Sequence, residues 1–132
     1  MRFLFDTNIL IERSRSKPVP KVKAWTDSLL PWQVVLCPVV AAEFMIGVFK
    51  LPGGRRAAPV RFLREAVRAF CWVDCDLKAA VAFGQTRAGL KFKGRVNDLW
   101  IASIAKAHNL TVATRNERDF KPFGVPTFNP FD

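Results

Sequence analysis

Short apolar runs alternate along the chain with longer segments in which apolar residues recur every three or four positions. The apolar runs fall at residues 2–5, 33–36, 71–73, 111–113 and 125–128. They are apolar almost throughout and do not alternate with polar residues, which is typical of strands covered on both faces. The pattern therefore predicts an α/β fold in which helices cover both faces of a central parallel sheet.

The segments between these runs have the periodicity of amphipathic helices. The predicted helices cover residues 7–13, 21–29, 38–48, 57–69, 77–90, 98–108 and 116–120. Asp76 and Asn97 are predicted N-caps, and Asn109 is a predicted C-cap. Neither a linker nor an internal repeat divides the sequence, so residues 1–132 are expected to form a single domain.

Composition narrows the functional classes. Half of the 132 residues are hydrophobic, which excludes a disordered chain, and the net charge of +10 favours a polyanionic partner. Three cysteines without zinc-site spacing indicate free thiols and a cytoplasmic protein. His108, the single histidine, excludes histidine-based triads and is expected to contact carbonyl groups at a helix end. No apolar run approaches the ~20 residues needed to cross a bilayer, so no membrane association is expected.

The positions of the eleven acidic residues are informative. Asp6 directly follows the first strand, and Asp119 comes shortly after the fourth. Glu43 and Asp98 lie among apolar residues of neighbouring helices. Because ligands of open parallel sheets bind at the carboxyl ends of the strands, all four side chains can meet in one cleft there. Glu12, like the remaining acids outside caps, is expected to be solvated.

Converging carboxylates repel one another, and burial increases the cost. A divalent cation compensates that charge, and an all-oxygen site without histidine favours Mg²⁺ or Mn²⁺. Such a site is suited to hydrolysis of phosphodiester bonds. Each acid also has a simpler interpretation, because Asp6 and Asp98 are possible N-caps, while Glu43 and Asp119 are possible surface residues.

Four segments carry a resemblance to a known family: FLFDTNIL at residues 3–10, VVAAEF at 39–44, NDLWIASIA at 97–105 and LTVATRNERDF at 110–120. In their order and spacing, the chain resembles the PIN-domain ribonucleases, and among them the VapC-type toxins of toxin–antitoxin modules. The resemblance extends over essentially the whole chain and implies a three-layer α/β/α fold. It also implies an endoribonuclease that depends on Mg²⁺ or Mn²⁺.

The resemblance carries Asp6, Glu43 and Asp98 onto the three acidic positions of the family's catalytic and metal site. Asp119 is our choice for the fourth position, with Asn116 as the alternative. Thr114 matches the family's hydroxyl residue, which orients a carboxylate or a water molecule. Many relatives have a further acid where this chain has Ile101, which favours one firmly held metal ion over two.

Partners follow from the same resemblance: an RNA substrate, a small antitoxin that covers the active site, and a second copy of the chain in a homodimer. An apolar set was considered as the antitoxin groove: Phe44, Met45, Val48, Phe49, Phe62 and Leu63. Basic residues that bracket the acids in sequence are the candidate RNA contacts. They are Arg13, Arg15, Lys91, Lys93, Arg95 and Arg115.

Two alternative functions stay open at this point. One is a non-catalytic module that binds nucleic acid or an antitoxin, in which the acids bind arginine side chains of the partner. The other is a structure-specific DNA nuclease with the same metal chemistry. The sequence does not specify the RNA target, the number of metal ions, the antitoxin or the oligomeric state.

Overall fold

Five parallel strands form one sheet in the computed structural model, which describes residues 1–91 and 94–132. The strands are β1 (Phe3–Phe5), β2 (Val34–Leu36), β3 (Cys71–Trp72), β4 (Thr111–Ala113) and β5 (Thr127–Phe128). They are arranged in the order β3-β2-β1-β4-β5. The predicted parallel sheet is confirmed.

Seven α-helices surround the sheet within the described residues. They are α1 (Thr7–Ser14), α2 (Pro20–Ser28), α3 (Pro38–Phe49), α4 (Ala57–Ala69), α5 (Leu77–Ala88), α6 (Val96–Ala107) and α7 (Glu117–Phe120). Helices α1 to α4 form one group, in which α1 contacts α2 and α3 and α3 contacts α4. Helices α5 to α7 form a second group through α6, which also contacts α3. These are the two helical layers of a three-layer α/β/α fold, because right-handed crossovers that run in opposite directions along a sheet lie on opposite faces.

The strand order places a topological switch point between β1 and β4. From β1 the chain continues outward through β2 and β3, then crosses back to β4 and β5 on the other side. A crevice opens at the carboxyl end of the sheet where connections leave in opposite directions. Asp6 and Thr114, which directly follow β1 and β4, both lie at this crevice.

The apolar residues of the strands and of the inner helix faces form one core. Leu4, Val35 and Val112 in the central strands are fully buried, as are Ile101 and Ile104 on α6. Burying side chains of this size contributes roughly 1.5–3 kcal/mol each. The core therefore fixes the carboxyl edge of β1 and the first turn of α6, which carry two of the candidate site residues.

Three expectations from the sequence were wrong. Helix α6 begins at Val96, because Arg95 adopts a left-handed conformation (φ 51°) and the Leu99 N–H donates to its carbonyl, so Asn97 lies inside the first turn. His108 pairs with the Asp76 carboxylate (Nε2 to Oδ2, 3.0 Å) and not with carbonyl groups. Glu12 is buried, since its carboxylate accepts the Val19 N–H across the loop that follows α1.

The other predicted boundaries agree with the structure to within a few residues. Helix α4 has the predicted limits, and Asp76 is the N-cap of α5, where it accepts the Ala79 N–H. Asn109 has the left-handed conformation (φ 54°) expected of a residue that ends a helix. In the described part of the chain, no helix has the length and hydropathy needed to cross a bilayer.

Candidate active site

Asp6 is a buried carboxylate held by donors on three sides. It caps α1, and its Oδ1 accepts the Thr7 N–H at 2.8 Å. Its Oδ2 accepts the Thr114 hydroxyl at 2.7 Å and the Asn8 amide at 3.3 Å. Burial raises the pKa of Asp6, the bonds from Thr114 and Thr7 oppose that rise, and the charge of Glu43 adds to it. Asp6 is therefore both a helix cap and a carboxyl group held in a defined orientation at the crevice.

Glu43 approaches the same crevice from α3. Its Oε1 accepts the Thr7 hydroxyl at 2.7 Å, and its Oε2 accepts the Asn97 amide at 3.4 Å. Thr7 thus donates its backbone N–H to Asp6 and its hydroxyl to Glu43. One residue at the start of α1 sets the relative position of two acids that are 37 residues apart in sequence.

Asp98 lies in the first turn of α6 and faces the other acids. The pKa of Asp98 is raised to about 6. Burial is the largest cause, the negative charges of Asp6, Glu43 and Asp119 add to the rise, and the positive charge of Arg95 offsets part of it. The helix N-terminus stabilises this carboxylate by only about 0.3–1 kcal/mol. Negative charge is therefore concentrated around Asp98 beyond what the local cation compensates.

Asp119 completes the group from α7, but it has a partner of its own. Its Oδ1 lies 2.7 Å from Arg95 Nη1 in an ion pair whose side chains are both partly exposed. Arg95, a candidate RNA contact, is thus bound to a candidate metal ligand. A partly exposed pair of this kind contributes at most about 1 kcal/mol, so a stronger ligand can displace it.

The four acids are neighbours without forming a compact cage. Among residues 1–91 and 94–132, no three Asp, Glu, His or Cys side chains are grouped tightly enough to hold a metal ion as they stand. The hydrogen bonds to Glu43 and the ion pair of Asp119 explain the separation, because each satisfies a carboxylate away from the centre. Mutual repulsion acts in the same direction.

Thr114 and Asn116 have different environments. Thr114 is fully buried, and besides donating to Asp6 its hydroxyl oxygen accepts the Asn116 N–H at 3.0 Å. The Asn116 side chain is exposed next to Asp119 at the start of α7. The Thr114 hydroxyl therefore orients a carboxylate, whereas the exposed Asn116 lines a polar cavity together with Asp119.

The basic candidates do not share one location. Arg13 lies seven residues along α1 from Asp6, about 10 Å away along the helix axis, and pairs with Asp27 at 2.9 Å. Arg15 follows the end of α1 and pairs with the buried Glu12 at 3.4 Å. Lys91 is exposed before α6. Lys93 lies outside the described residues.

Arg115 is linked to the buried Asp6 through a backbone hydrogen bond to Asn8. Its N–H donates to Asn8 Oδ1 at 3.2 Å, and Asn8 in turn donates to Asp6. The structure thus brings Asp6, Glu43, Asp98 and Asp119 together with Arg95 and Arg115, and it leaves Arg13 and Arg15 in ion pairs farther along the chain.

Sequence reasoning missed the polar residues that position the acids: Thr7, Asn8 and Asn97. Thr7 and Asn8 were given no role in the site, and Asn97 was predicted only as an N-cap. Their adjacency to Asp6 and Asp98 in sequence was the available signal, because a residue next to a site acid at a helix start can reach its neighbours.

Comparisons with known proteins agree with this fold. A family model described as PIN domain matches residues 3–124. Toxin FitB of Neisseria gonorrhoeae is 34% identical over 97% of this chain and 97% of its own length. VapC ribonuclease Y4jK of Sinorhizobium fredii is 29% identical over 98% of this chain and 97% of its own. A solved toxin–antitoxin complex from Klebsiella pneumoniae superposes with a TM-score of 0.73 at 27% identity, covering 98% of both chains.

Proposed function

The chain belongs to the PIN domain family, and from that premise we propose that it is a metal-dependent endoribonuclease and the toxin of a toxin–antitoxin pair. The observation that carries the proposal is that the charges of Asp6, Glu43 and Asp119 all act on Asp98 near the sheet's switch point. The name of the Sinorhizobium relative supports RNA as the substrate.

The donor set fits a hard divalent cation. All four candidate ligands, Asp6, Glu43, Asp98 and Asp119, are carboxylates, and Mg²⁺ and Mn²⁺ prefer oxygen. The pKa of Asp98 is raised to about 6 in part by its acidic neighbours, which indicates excess negative charge that a cation relieves. Asp6 and Asp98 are the proposed principal ligands, and Glu43 and Asp119 complete the site.

When bound, the cation lowers the pKa of water and offsets negative charge on the scissile phosphate. Neighbouring residues of the chain hold the candidate ligands in the positions that this reaction requires. Thr114 and Thr7 favour the ionised form of the Asp6 carboxylate and fix its orientation. Glu43, held by Thr7 and Asn97, is positioned to accept a proton from the attacking water.

Arg95 and Arg115 supply positive charge beside the acids, and we propose that they and the exposed Lys91 contact the RNA, Arg95 and Lys91 through its phosphates. Arg13 and Arg15 are weaker candidates, because their ion pairs with Asp27 and Glu12 already use their charge. Binding through phosphates predicts an affinity that falls steeply with salt.

The metal requirement is the first prediction to test. We expect purified protein to cleave a labelled single-stranded RNA pool with Mg²⁺ or Mn²⁺, and to lose that activity in EDTA and in the Asp6→Asn variant. Asparagine is a suitable change because it caps helices about as well as aspartate, so the fold is retained while the charge is lost. Readout on a sequencing gel identifies the cleaved positions.

Two results would contradict this proposal. Cleavage that persists in EDTA and in Asp6→Asn would show that the acids do not form the active site. Tight RNA binding without cleavage under either metal would favour the non-catalytic module. A competition assay between RNA and structured DNA tests the DNA-nuclease alternative, because a DNA nuclease would cleave the DNA in preference.

We further propose that the partner is a small antitoxin, since a similar structure is a toxin–antitoxin complex. Of the apolar residues considered for its groove, Phe44 and Val48 are buried in the core, so they line the floor at most. Phe49 on α3 is exposed, as is the neighbouring Ile46. A homodimer and a cytoplasmic location are parts of the same proposal, and three free thiols suit a reducing compartment.

Phe49→Ala is expected to weaken binding of the cognate antitoxin at least about tenfold, because aromatic anchors dominate such interfaces. RNA cleavage by the free toxin is expected to stay unchanged, since Phe49 makes no contact with the acids. Leu77→Ala, which removes an even more exposed apolar side chain from α5, serves as the matched control in the same calorimetric titration. Equal effects of the two substitutions would place the antitoxin elsewhere.

A further inference from the structure

A polar cavity of about 440 Å³ lies against the acidic site on the β5 side. Asp119 lines it and belongs at the same time to the acids around Asp98. Arg115 and Asn116 form the part of the lining that follows β4, and Asn129 and Asp132 form the part that follows β5. The volume is within the range of small-molecule sites, ~300–1,000 Å³, and is therefore sufficient for a nucleobase. We call it the Arg115 cavity.

The guanidinium of Arg115 packs on an aromatic ring beside this cavity. Its Cζ lies 4.5 Å from the centre of the Phe131 ring, a cation–π contact. Asn129 holds the two segments together, because its amide donates to the Arg115 carbonyl at 3.3 Å and its Oδ1 accepts the Phe131 N–H at 2.9 Å. Arg115 is exposed, and no ion pair to its guanidinium is found among the described residues.

The cavity is also in a fixed position relative to the reacting centre. The Arg115 N–H donates to Asn8, and Asn8 donates to Asp6. A group bound against Arg115 is therefore held at a set distance from the acids. A nucleotide adjacent to the cleaved bond is the part of an RNA substrate that occupies such a place.

Charge decides which part of the nucleotide fits. Two cations, Arg115 and Arg118, and three carboxylates, Glu117, Asp119 and Asp132, line the cavity. That balance disfavours a phosphate, which carries negative charge. It suits a neutral base, whose polar edge finds donors and acceptors while its face stacks on a guanidinium plane.

We propose that the Arg115 cavity binds the base of an unpaired nucleotide next to the cleaved bond, stacked on the guanidinium of Arg115 that Phe131 supports. The inference rests on the ribonuclease function proposed above and adds a requirement of its own. A base in a duplex has both faces covered by its neighbours, so the cleaved position has to lie in a loop or another single-stranded segment.

The test uses one short single-stranded RNA that the protein cleaves and a series of copies, each lacking a single base. For the wild type, we expect kcat/KM to fall about tenfold when the base at one position beside the cleaved bond is missing, in line with stacking contributions. The Arg115→Lys variant keeps the charge and loses the planar stacking surface. It is expected to cleave the intact RNA about tenfold more slowly and to be insensitive to removal of that same base.

Arg64→Lys is the matched control, because Arg64 is exposed on α4, which packs beside β3 at the opposite edge of the sheet. It is expected to behave as the wild type. Wild-type cleavage that is indifferent to every missing base, or an Arg115→Lys variant with full activity, would overturn the cavity assignment and leave the ribonuclease intact.

A wild-type protein that cleaves no RNA would instead contradict the proposed function. The cavity is then tested by binding of the same RNA series without divalent cation, measured by fluorescence anisotropy. A loss of affinity confined to one missing base and absent in Arg115→Lys would support the assignment, and uniform affinities would overturn it.

Discussion

The Asp98→Asn variant is expected to lose RNA cleavage by a factor of about 10³ or more and yet to be more stable than the wild type when no divalent cation is present. The loss follows because a metal ligand supports several kcal/mol of transition-state stabilisation. The gain follows because burial and the charges of Asp6, Glu43 and Asp119 disfavour the ionised Asp98 carboxylate. After allowance for solvent screening and for the lost interaction with the helix N-terminus, we expect about 1 kcal/mol of added stability at pH 7.5.

The pH dependence of the unfolding free energy is a stricter test of this expectation for Asp98. The pKa of Asp98 is raised in the folded protein from 3.8 to about 6, so the folded state retains a proton that the unfolded state has released between those values. The stability contributed by this group is therefore present below about pH 4 and is lost as the pH rises through 6. The difference in unfolding free energy between Asp98→Asn and the wild type is expected to grow over the same interval.

Urea denaturation at a series of pH values in EDTA measures this difference. Glu65→Gln, the same change of carboxylate to amide at an exposed position of α4, is the control and is expected to show no such dependence. Adding Mg²⁺ is expected to stabilise the wild type and to leave Asp98→Asn nearly unchanged. A variant that is less stable than the wild type at pH 7.5 would indicate that Asp98 acts as an ordinary helix-start residue.

The parts of the fold that could be predicted depend on local chemistry. Helix α4 was predicted residue for residue because Val60, Leu63 and Val67 recur at helical spacing between a glycine-rich break and a strand. The start of α6 could not be predicted in this way. It depends on a left-handed Arg95, an arginine conformation with no signal in composition, and the resulting turn directs the Asn97 side chain to Glu43.

The acids of the site could be predicted from the sequence, but their partners could not. The positions of Asp6, Glu43, Asp98 and Asp119 after strands and among apolar residues were sufficient to expect them in one crevice, and in the structure the charges of the other three raise the pKa of Asp98. Their individual partners depend on side-chain contacts across the fold. Thr7 reaches Glu43 over 36 positions, and Arg95 reaches Asp119 over 24, and no local pattern encodes such pairings.

These unforeseen partners explain how a crevice with so much negative charge is tolerated. Thr7, Asn8 and Thr114 all donate to carboxylates, which stabilises the ionised form of the buried Asp6 against the effect of burial on its pKa. Arg95 reduces the charge on Asp119 at the solvent-facing side. The least compensated acid is Asp98, and it is the group for which a cation has the largest effect.

Thr114→Val is expected to reduce both stability and cleavage, although valine has nearly the same shape as threonine. The buried hydroxyl donates to Asp6 Oδ2 and accepts the Asn116 N–H. Valine cannot form either hydrogen bond, so the Asp6 carboxylate and the Asn116 N–H each lose this partner. We expect a loss of about 2 kcal/mol in the free energy of unfolding at pH 7.5, typical of a hydrogen bond to a charged group. Cleavage is expected to fall roughly 10–100-fold, as for residues that orient a metal ligand.

Thr114→Ser distinguishes the hydroxyl from packing, because serine keeps the donor and removes only a methyl group, at a cost of about 0.8 kcal/mol. Cleavage by the serine variant is expected to stay close to that of the wild type. The penalty of valine is also expected to shrink at low pH, since the Thr114 bond favours the ionised form of Asp6 and lowers its pKa. Equal loss of cleavage in the two variants, or a valine penalty independent of pH, would show that Thr114 acts by packing and that Asp6 does not depend on its hydroxyl.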